Sequence, residues 1–384
     1  MRDEAFVLGV NDWPRRKAMA WWSDFDAEEV RDEFALVADL GLDAVRIFLL
    51  WDDWQPVPDA VSEACLRNLG QVLDAAAELG LGLDVTFFTG HTSGPNWAPG
   101  WLLRDGPPDP GPGPRSVVSG GRRVARAIRN VFHDPLALAA AETLLREVVG
   151  RFRDHPGVWW WNLGNEPDLF AWPASPAEGR AWVRRMTAVV RELDPLHPVT
   201  CGLHVASLLQ DNGLRVSDVF DETDVAVMHG YPMYADWARG PLDPDFVPFA
   251  CALTSALSGL PTLAEEWGGC TAPPGAPSQV LCWRFDGAER AHFTASEEQL
   301  AAYVAAVLPR LVEAGATGAM LWCFADYAEA LWDRPPCDEA QHERFFGLVR
   351  PDGSLKPHAE AYYADPAAHA RRLYAAYLAR ARET

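Results

Sequence analysis

Eight short apolar runs punctuate this chain, with room for a helix between most of them, and that alternation constrains the fold more than any other feature. The runs are FVLGV (6–10), AVRIFLL (44–50), GLDVTFF (82–88), VWWWNLG (158–164), PVTCGL (198–203), DVAVMHG (224–230), PTLAEEW (261–267) and GAMLWCF (318–324). Each is continuously apolar rather than alternating, the pattern of strands covered on both faces of a parallel sheet. Amphipathic stretches at 26–41, 62–80, 134–152, 175–193 and 296–315 read as helices between them. The first of these opens on Asp26 with Glu29 three residues later, a capping-box-like start. Strand and helix alternating in this way predict an α/β chain folded as a single (β/α)8 TIM barrel over residues 1–384. An open doubly wound sheet is the competing architecture; the absence of a glycine-rich phosphate loop after the first run disfavours it. Two Pro/Gly-rich stretches, 104–121 and 268–293, follow the third and seventh runs and read as irregular, extended βα loops. Residues 357–384 read as a helix closing the domain.

The fourth run raises a chemical question. Three tryptophans lead directly into Asn165, Glu166 and Pro167, and a charge at the end of so apolar a strand is costly unless the strand end is open or paired. In a barrel the C-terminal strand ends form the active-site mouth, so Glu166 is expected there. The seventh run ends in the same way, with Glu265 and Glu266. Neighbouring strand residues face opposite sides, so only one of that pair is expected to face the barrel axis, the other meeting a cation behind it. Two carboxyl groups at two strand ends suit glycosidic cleavage, in which one protonates the leaving oxygen and the other attacks the anomeric carbon.

The stretches WNLGNEP and LAEEWG resemble the acid/base and nucleophile motifs of clan A glycoside hydrolases, specifically family 5. VRIFLLWDDWQP, FFTGHTSG, HGYP, LWCFADY and the closing FGLVRPDGSLKP fall in the order that this family shows, so the resemblance covers nearly the whole chain. It implies Glu166 as general acid/base and Glu266, directly before Trp267 and Gly268, as nucleophile. It further implies that Asn165 bonds the sugar 2-hydroxyl and that Arg46 and Tyr231 keep the nucleophile ionised and oriented. His91 and His229 would line the subsite of the cleaved sugar, and Trp322 would form its aromatic floor. A family member retains anomeric configuration, with carboxyl groups about 5–5.5 Å apart. The front end, GVNDWPRRKAMAWWSDFD, is similar to a branch containing intracellular β-mannosidases, some acting on Manβ1-4GlcNAc. That implies an exo-β-mannosidase on short β-linked oligosaccharides. An endo-β-mannanase, β-glucosidase or β-galactosidase of the same family remains open, as does a sugar-binding barrel without activity.

The composition agrees with a sugar substrate. There are 17 tryptophans, and aromatic rings cover the apolar C–H faces of sugars. Trp13 and Trp267 are placed among the sugar contacts, with Trp51, Trp54, Trp97 and Trp101 near the mouth and others packing helices. A formal net charge of −21 argues against a nucleic-acid partner. No apolar run is long enough to span a membrane. The acidic start at Asp3 and Glu4, with no basic n-region, reads as an intracellular, cytoplasmic protein. Seven cysteines without that signal read as reduced thiols. No CxxC or HExxH motif occurs, so neither metal nor cofactor is expected.

Overall fold

The computed structural model describes residues 6–113 and 115–363. Its main sheet contains β1 (Val7–Asn11), β2 (Ala44–Leu50), β3 (Gly82–Thr89), β4 (Val158–Asn165), β5 (Val199–Gly202), β6 (Ala226–Gly230), β7 (Thr262–Gly268) and β8 (Gly318–Trp322). The spatial order is 5-4-3-2-1-8-7-6, which is the order of a (β/α)8 barrel. The longer helices are α1 (Ala27–Asp39), α2 (Glu63–Leu79), α3 (Pro135–Phe152), α4 (Pro176–Leu193), α5 (Phe246–Ser258), α6 (Glu297–Glu313) and α7 (Pro357–Tyr363). Each apolar run of the sequence is a strand, displaced by two residues at most. The closing helix is described only as far as Tyr363; the rest of that expectation lies outside the described residues. None of the described helices is long and apolar enough to cross a membrane.

The helix starts follow from side chains that satisfy otherwise orphaned amides. Asp26 Oδ1 accepts from the Glu28 and Glu29 amides at 3.0 and 3.3 Å. Asp134 does the same for Leu136 and Ala137, and Ser62, Ser175 and Ser296 cap α2, α4 and α6. Pro135 and Pro176 occupy the first helical turns of α3 and α4, where the missing N–H costs nothing.

By compactness the described residues divide into two units: those of 6–18, 35–45 and 228–363 in the first, those of 19–34 and 46–227 in the second. In the second unit, β4 carries two register irregularities. Against β3, two residues of β4 oppose one step (Leu83 with Val158, Asp84 with Trp160). Against β5, Thr200 pairs with Asn162 but Gly202 with Asn165, three steps against two. In the first unit, β7 does the same against β8: Ala264 pairs with Ala319 and Trp267 with Leu321. A bulge of this kind resets which side chains share a face.

The two loops expected to be irregular contain ordered strands. In the first unit, Gln279–Phe285 and Ala288–Thr294 pair antiparallel over seven residue pairs. Their connection, Asp286-Gly287, has φ values of 47° and 75°, the left-handed pair that a type I′ hairpin turn requires. In the second unit, Val117–Ser119 pairs with Arg122–Val124 through Gly120-Gly121, at φ 55° and 72°.

Candidate active site

In the second unit the site begins with a buried polar ladder inside an apolar sheet. Arg46 of β2 is fully buried and donates from Nε to Thr86 Oγ1 at 2.9 Å and from an Nη to Asn165 Oδ1 at 3.0 Å. Asp84, equally buried, lies 3.7 Å from the guanidinium and accepts from Thr86. Such a charge is tolerable only with a partner and further hydrogen bonds, and Asp84 and Thr86 supply both. Asn162 Oδ1 accepts from the amides of Gly164 and Gly202, tying the bulge of β4 to β5. Because of that bulge Asn162 and Asn165, which strict alternation would place on opposite faces, both join the same polar network.

Asn165 is therefore held at both ends, its Oδ1 by Arg46 and its Nδ2 by the His91 carbonyl at 2.9 Å. Glu166 follows in the left-handed region, φ 43° and ψ 56°, immediately before the short helix Pro167–Phe170. A non-glycine residue there stores on the order of 1–3 kcal/mol of strain. Its amide donates to the Gly202 carbonyl at 3.0 Å, which anchors the turn. His91 donates from Nδ1 to Asn96 Oδ1 at 2.9 Å. Burial first, with the Arg115 charge beside it, lowers its pKa to about 4, so it is neutral at pH 7; the Glu166 charge acts in the opposite direction.

In the first unit the carboxylates of β7 meet a single imidazole. His229 of β6 is fully buried; its Nε2 lies 2.9 Å from Glu265 Oε2 and its Nδ1 3.5 Å from Glu266 Oε1. The two consecutive glutamates therefore share a face, which the bulge between Ala264 and Trp267 permits. This corrects the expectation that only one of them could face inward. Tyr231 donates its hydroxyl to Glu266 Oε2 at 3.1 Å. Asn11 of β1 donates to the Glu265 carbonyl at 2.8 Å, pinning the bulged backbone.

Gly268 explains why glycine ends this motif. Its φ is 153°, and a Cβ there would lie 2.5 Å from the Trp322 carbonyl oxygen. Trp322, at the end of β8, donates its indole N–H to Glu343 Oε2 at 3.2 Å. Glu343 also accepts from the Tyr234 hydroxyl, which bonds His342 Nε2 at 2.9 Å.

Three expectations need correction. Trp267 is fully buried and packs against Tyr303 and Tyr362, with ring centroids 6.2 and 6.0 Å away; it is core, not a sugar contact. Trp13 likewise has no accessible surface. His229 is also inaccessible, so it does not line a subsite; it acts through the groups it holds. Of the others, Glu166 and Tyr231 are partly exposed and His91, Asn165, Glu266 and Trp322 each retain a sliver of surface.

Sequence reasoning passed over several members of these networks. Asp84 is the one charge inside GLDVTFF (82–88) and could have been flagged by that alone. Asp168, two residues after Glu166, pairs with His204 Nε2 and Asn212 Nδ2, both at 2.9 Å. His204 follows β5 and Glu343 lies in a short 3-10 helix, Gln341–Phe345, neither with a pattern to mark it.

Comparison with known proteins places this geometry. A protein from the Opitutaceae bacterium strain TAV5, described as the exo-β-1,4-mannosidase Op5Man5, superposes over 96% of this chain and 60% of its own, with a TM-score of 0.76 and 27% identity. The chain is similar to members of glycoside hydrolase family 5. A GH5_18 protein from Streptomyces cattleya, crystallised with Manβ1-4GlcNAc, shares the fold at a TM-score of 0.76 and 23% identity, over 96% of this chain and 81% of that one. Among curated proteins, this chain is 30% identical over 131 residues to probable mannan endo-1,4-β-mannosidase C of Aspergillus terreus, 28% of this chain and 32% of that one. It is 28% identical over 145 residues to mannan endo-1,4-β-mannosidase 4 of Oryza sativa subsp. japonica, 30% and 29% of the two chains. The match thus spans about a third of each curated relative. A family model for the TIM barrel domain of family 2 glycosyl hydrolases matches residues 117–239, the part of the chain that contains Asn165 and Glu166.

Proposed function

We propose that this chain is one catalytic domain of a retaining exo-β-mannosidase, with Glu166 as general acid/base and Glu266 as nucleophile. The observation that carries the reading is the grip on Glu266: one carboxylate oxygen takes the Tyr231 hydroxyl and the other faces His229. A carboxylate so held is oriented for attack, and its lone pairs are fixed before substrate arrives. In the first step Glu266 attacks the anomeric carbon while Glu166 protonates the departing oxygen. In the second, Glu166 takes a proton from water, which displaces Glu266 and restores the original configuration. Asn165, fixed by Arg46 and the His91 carbonyl, is the donor suited to the sugar 2-hydroxyl, and Trp322 the surface for its C–H face. No cofactor enters this chemistry.

Mannose as the released sugar is supported by the exo-β-1,4-mannosidase description of the Opitutaceae protein, and a short substrate by the disaccharide bound to the Streptomyces cattleya protein. An endo-β-1,4-mannanase is the second reading, because the curated relatives carry that name. The test is hydrolysis of nitrophenyl β-glycosides, Manβ1-4GlcNAc and a mannan polymer. Release of β-mannose from the small substrates alone supports the exo reading. Random cleavage of the polymer replaces it with the endo one, and release of α-mannose as the first product overturns retention.

A further inference from the structure

Glu166 sits on a turn that its own sequence disfavours. Its φ of 43° and ψ of 56° belong to the left-handed region, which costs a side-chain-bearing residue energy. Pro167 follows it directly, and the residue before a proline is pushed towards extended backbone. Such a conformation persists only where its surroundings over-determine it. Two backbone bonds contribute: the Glu166 amide donates to the Gly202 carbonyl at 3.0 Å and the Leu169 amide to the Glu166 carbonyl at 2.8 Å. Of these, only the first joins the turn to the end of β5, and a turn joined at one point can pivot about it.

A second joint lies beside the first. Asp168, two residues after Glu166, has 1% of its surface exposed. Its Oδ2 accepts from His204 Nε2 and from Asn212 Nδ2, both at 2.9 Å. His204 stands two residues after Gly202. The main chain therefore ties Glu166 to Gly202, and side chains tie Asp168 to His204, with equal spacing on the two sides. Asn212 is itself fixed: its Nδ2 reaches Ser207 Oγ at 3.1 Å and its Oδ1 takes the Leu214 amide at 3.0 Å. Both donors to Asp168 come from the segment after β5 and neither from its own turn, so the contact locks one segment to the other. Glu166 and His204 also bear on the titration of His91, in opposite senses, which puts the three side chains in one neighbourhood.

The geometry points to Asp168 and His204 as positioning residues for the general acid: their hydrogen bond fixes the angle at which the turn presents the Glu166 carboxyl to the leaving oxygen. The inference rests on the assignment of Glu166 as acid/base. A proton donor matters in proportion to how much the leaving group needs it. A sugar oxygen leaves only with a proton, whereas 2,4-dinitrophenolate leaves without one. A misaimed acid therefore slows the disaccharide and spares the activated glycoside; damage to the fold or to the nucleophile slows both.

The test is kcat/KM of Asp168→Ala and His204→Ala on Manβ1-4GlcNAc and on 2,4-dinitrophenyl β-mannoside, with Glu166→Ala as the reference. The expected loss is about 10²-fold on the disaccharide and less than about threefold on the dinitrophenyl mannoside. Asp168→Asn still offers an oxygen to both donors and recovers most of the loss. Equal losses on the two substrates overturn the proposal and make the pair a support of the fold alone. Full activity of both Ala variants on the disaccharide overturns it as well. Should Asp168→Ala fail to fold, His204→Ala decides, because its side chain is the more accessible of the two at 15%. A Glu166→Ala variant that slows both substrates equally overturns the assignment of Glu166 itself. An unaltered protein that cleaves neither mannoside overturns the mannosidase reading.

Discussion

The ends of β4 and β7 each present a glutamate, yet they are built by different means. At β4 the backbone does the positioning. Glu166 is turned into the left-handed region, its amide is tied to Gly202, and Pro167 starts a short helix immediately after it. At β7 the side chain itself is gripped, by the Tyr231 hydroxyl and the His229 imidazole. The difference matches the tasks proposed for them. A group that must give up and regain a proton is aimed by its main chain. A group that must attack one carbon is held by donors in a single orientation.

The comparison can be broken most decisively by removing each carboxylate. Glu266→Ala and Glu166→Ala are each expected to lower kcat on Manβ1-4GlcNAc by about 10⁴-fold or more, and azide separates them. In Glu266→Ala azide replaces the nucleophile and yields the α-mannosyl azide; in Glu166→Ala it intercepts the covalent intermediate and yields the β-azide. Identical anomers from both variants, read by NMR, would sink the assignment of roles. Next in size is Glu265→Gln, which alters the grip on His229 without touching Glu266. Misplacement on the order of an ångström costs about 10²-fold in kcat, with little change in melting temperature; a loss confined to stability would make Glu265 merely structural. Tyr231→Phe removes one hydrogen bond to a charged group, for a loss of about 10–100-fold in kcat.

Two smaller effects concern the scaffold on each side. Gly268→Ala drives a Cβ into the Trp322 carbonyl and is expected to destabilise by about 2 kcal/mol or more, measured by denaturant unfolding. On the β4 side, His91 is depressed to about 4, below its unfolded value of about 6.5. Its contribution to stability is therefore full above pH 6.5 and lost as pH falls from there towards 4. His91→Gln should flatten that part of the stability–pH curve; an unchanged slope would assign the acid limb to other groups, His292 among them, which burial also lowers to about 4.

The strands were legible because burial on both faces writes a continuous apolar word, and the helices because Asp26, Ser62, Asp134, Ser175 and Ser296 punctuate them. Glu166 and Glu266 were legible because a carboxylate at the end of such a word needs a reason. What was lost is where a local rule has an exception. Strict alternation misjudged Glu265 because a bulge is not visible in residue types. Trp267 was misplaced for a different reason: it stands next to a functional residue but, as alternation from Glu266 requires, faces the helices and packs on Tyr303 and Tyr362. The hairpin 279–294 was readable from Asp286-Gly287 between two alternating stretches, but its proline-rich surroundings masked it. The Asp84–Arg46 pair depends on which strands are neighbours, information that no single stretch contains.

The bulge in β7 has one more consequence. Glu265 and Glu266 are consecutive, and both reach His229, so the imidazole is bound as a chelate: two arms on one short covalent tether. If one arm lets go, the other keeps it near at a high effective concentration, and the broken contact re-forms without any search. One arm alone fixes only where the ring lies; both together fix how it is rotated. A strand without the bulge would point one arm away, and β7 would then offer a carboxylate with no built-in means of registering it against its support.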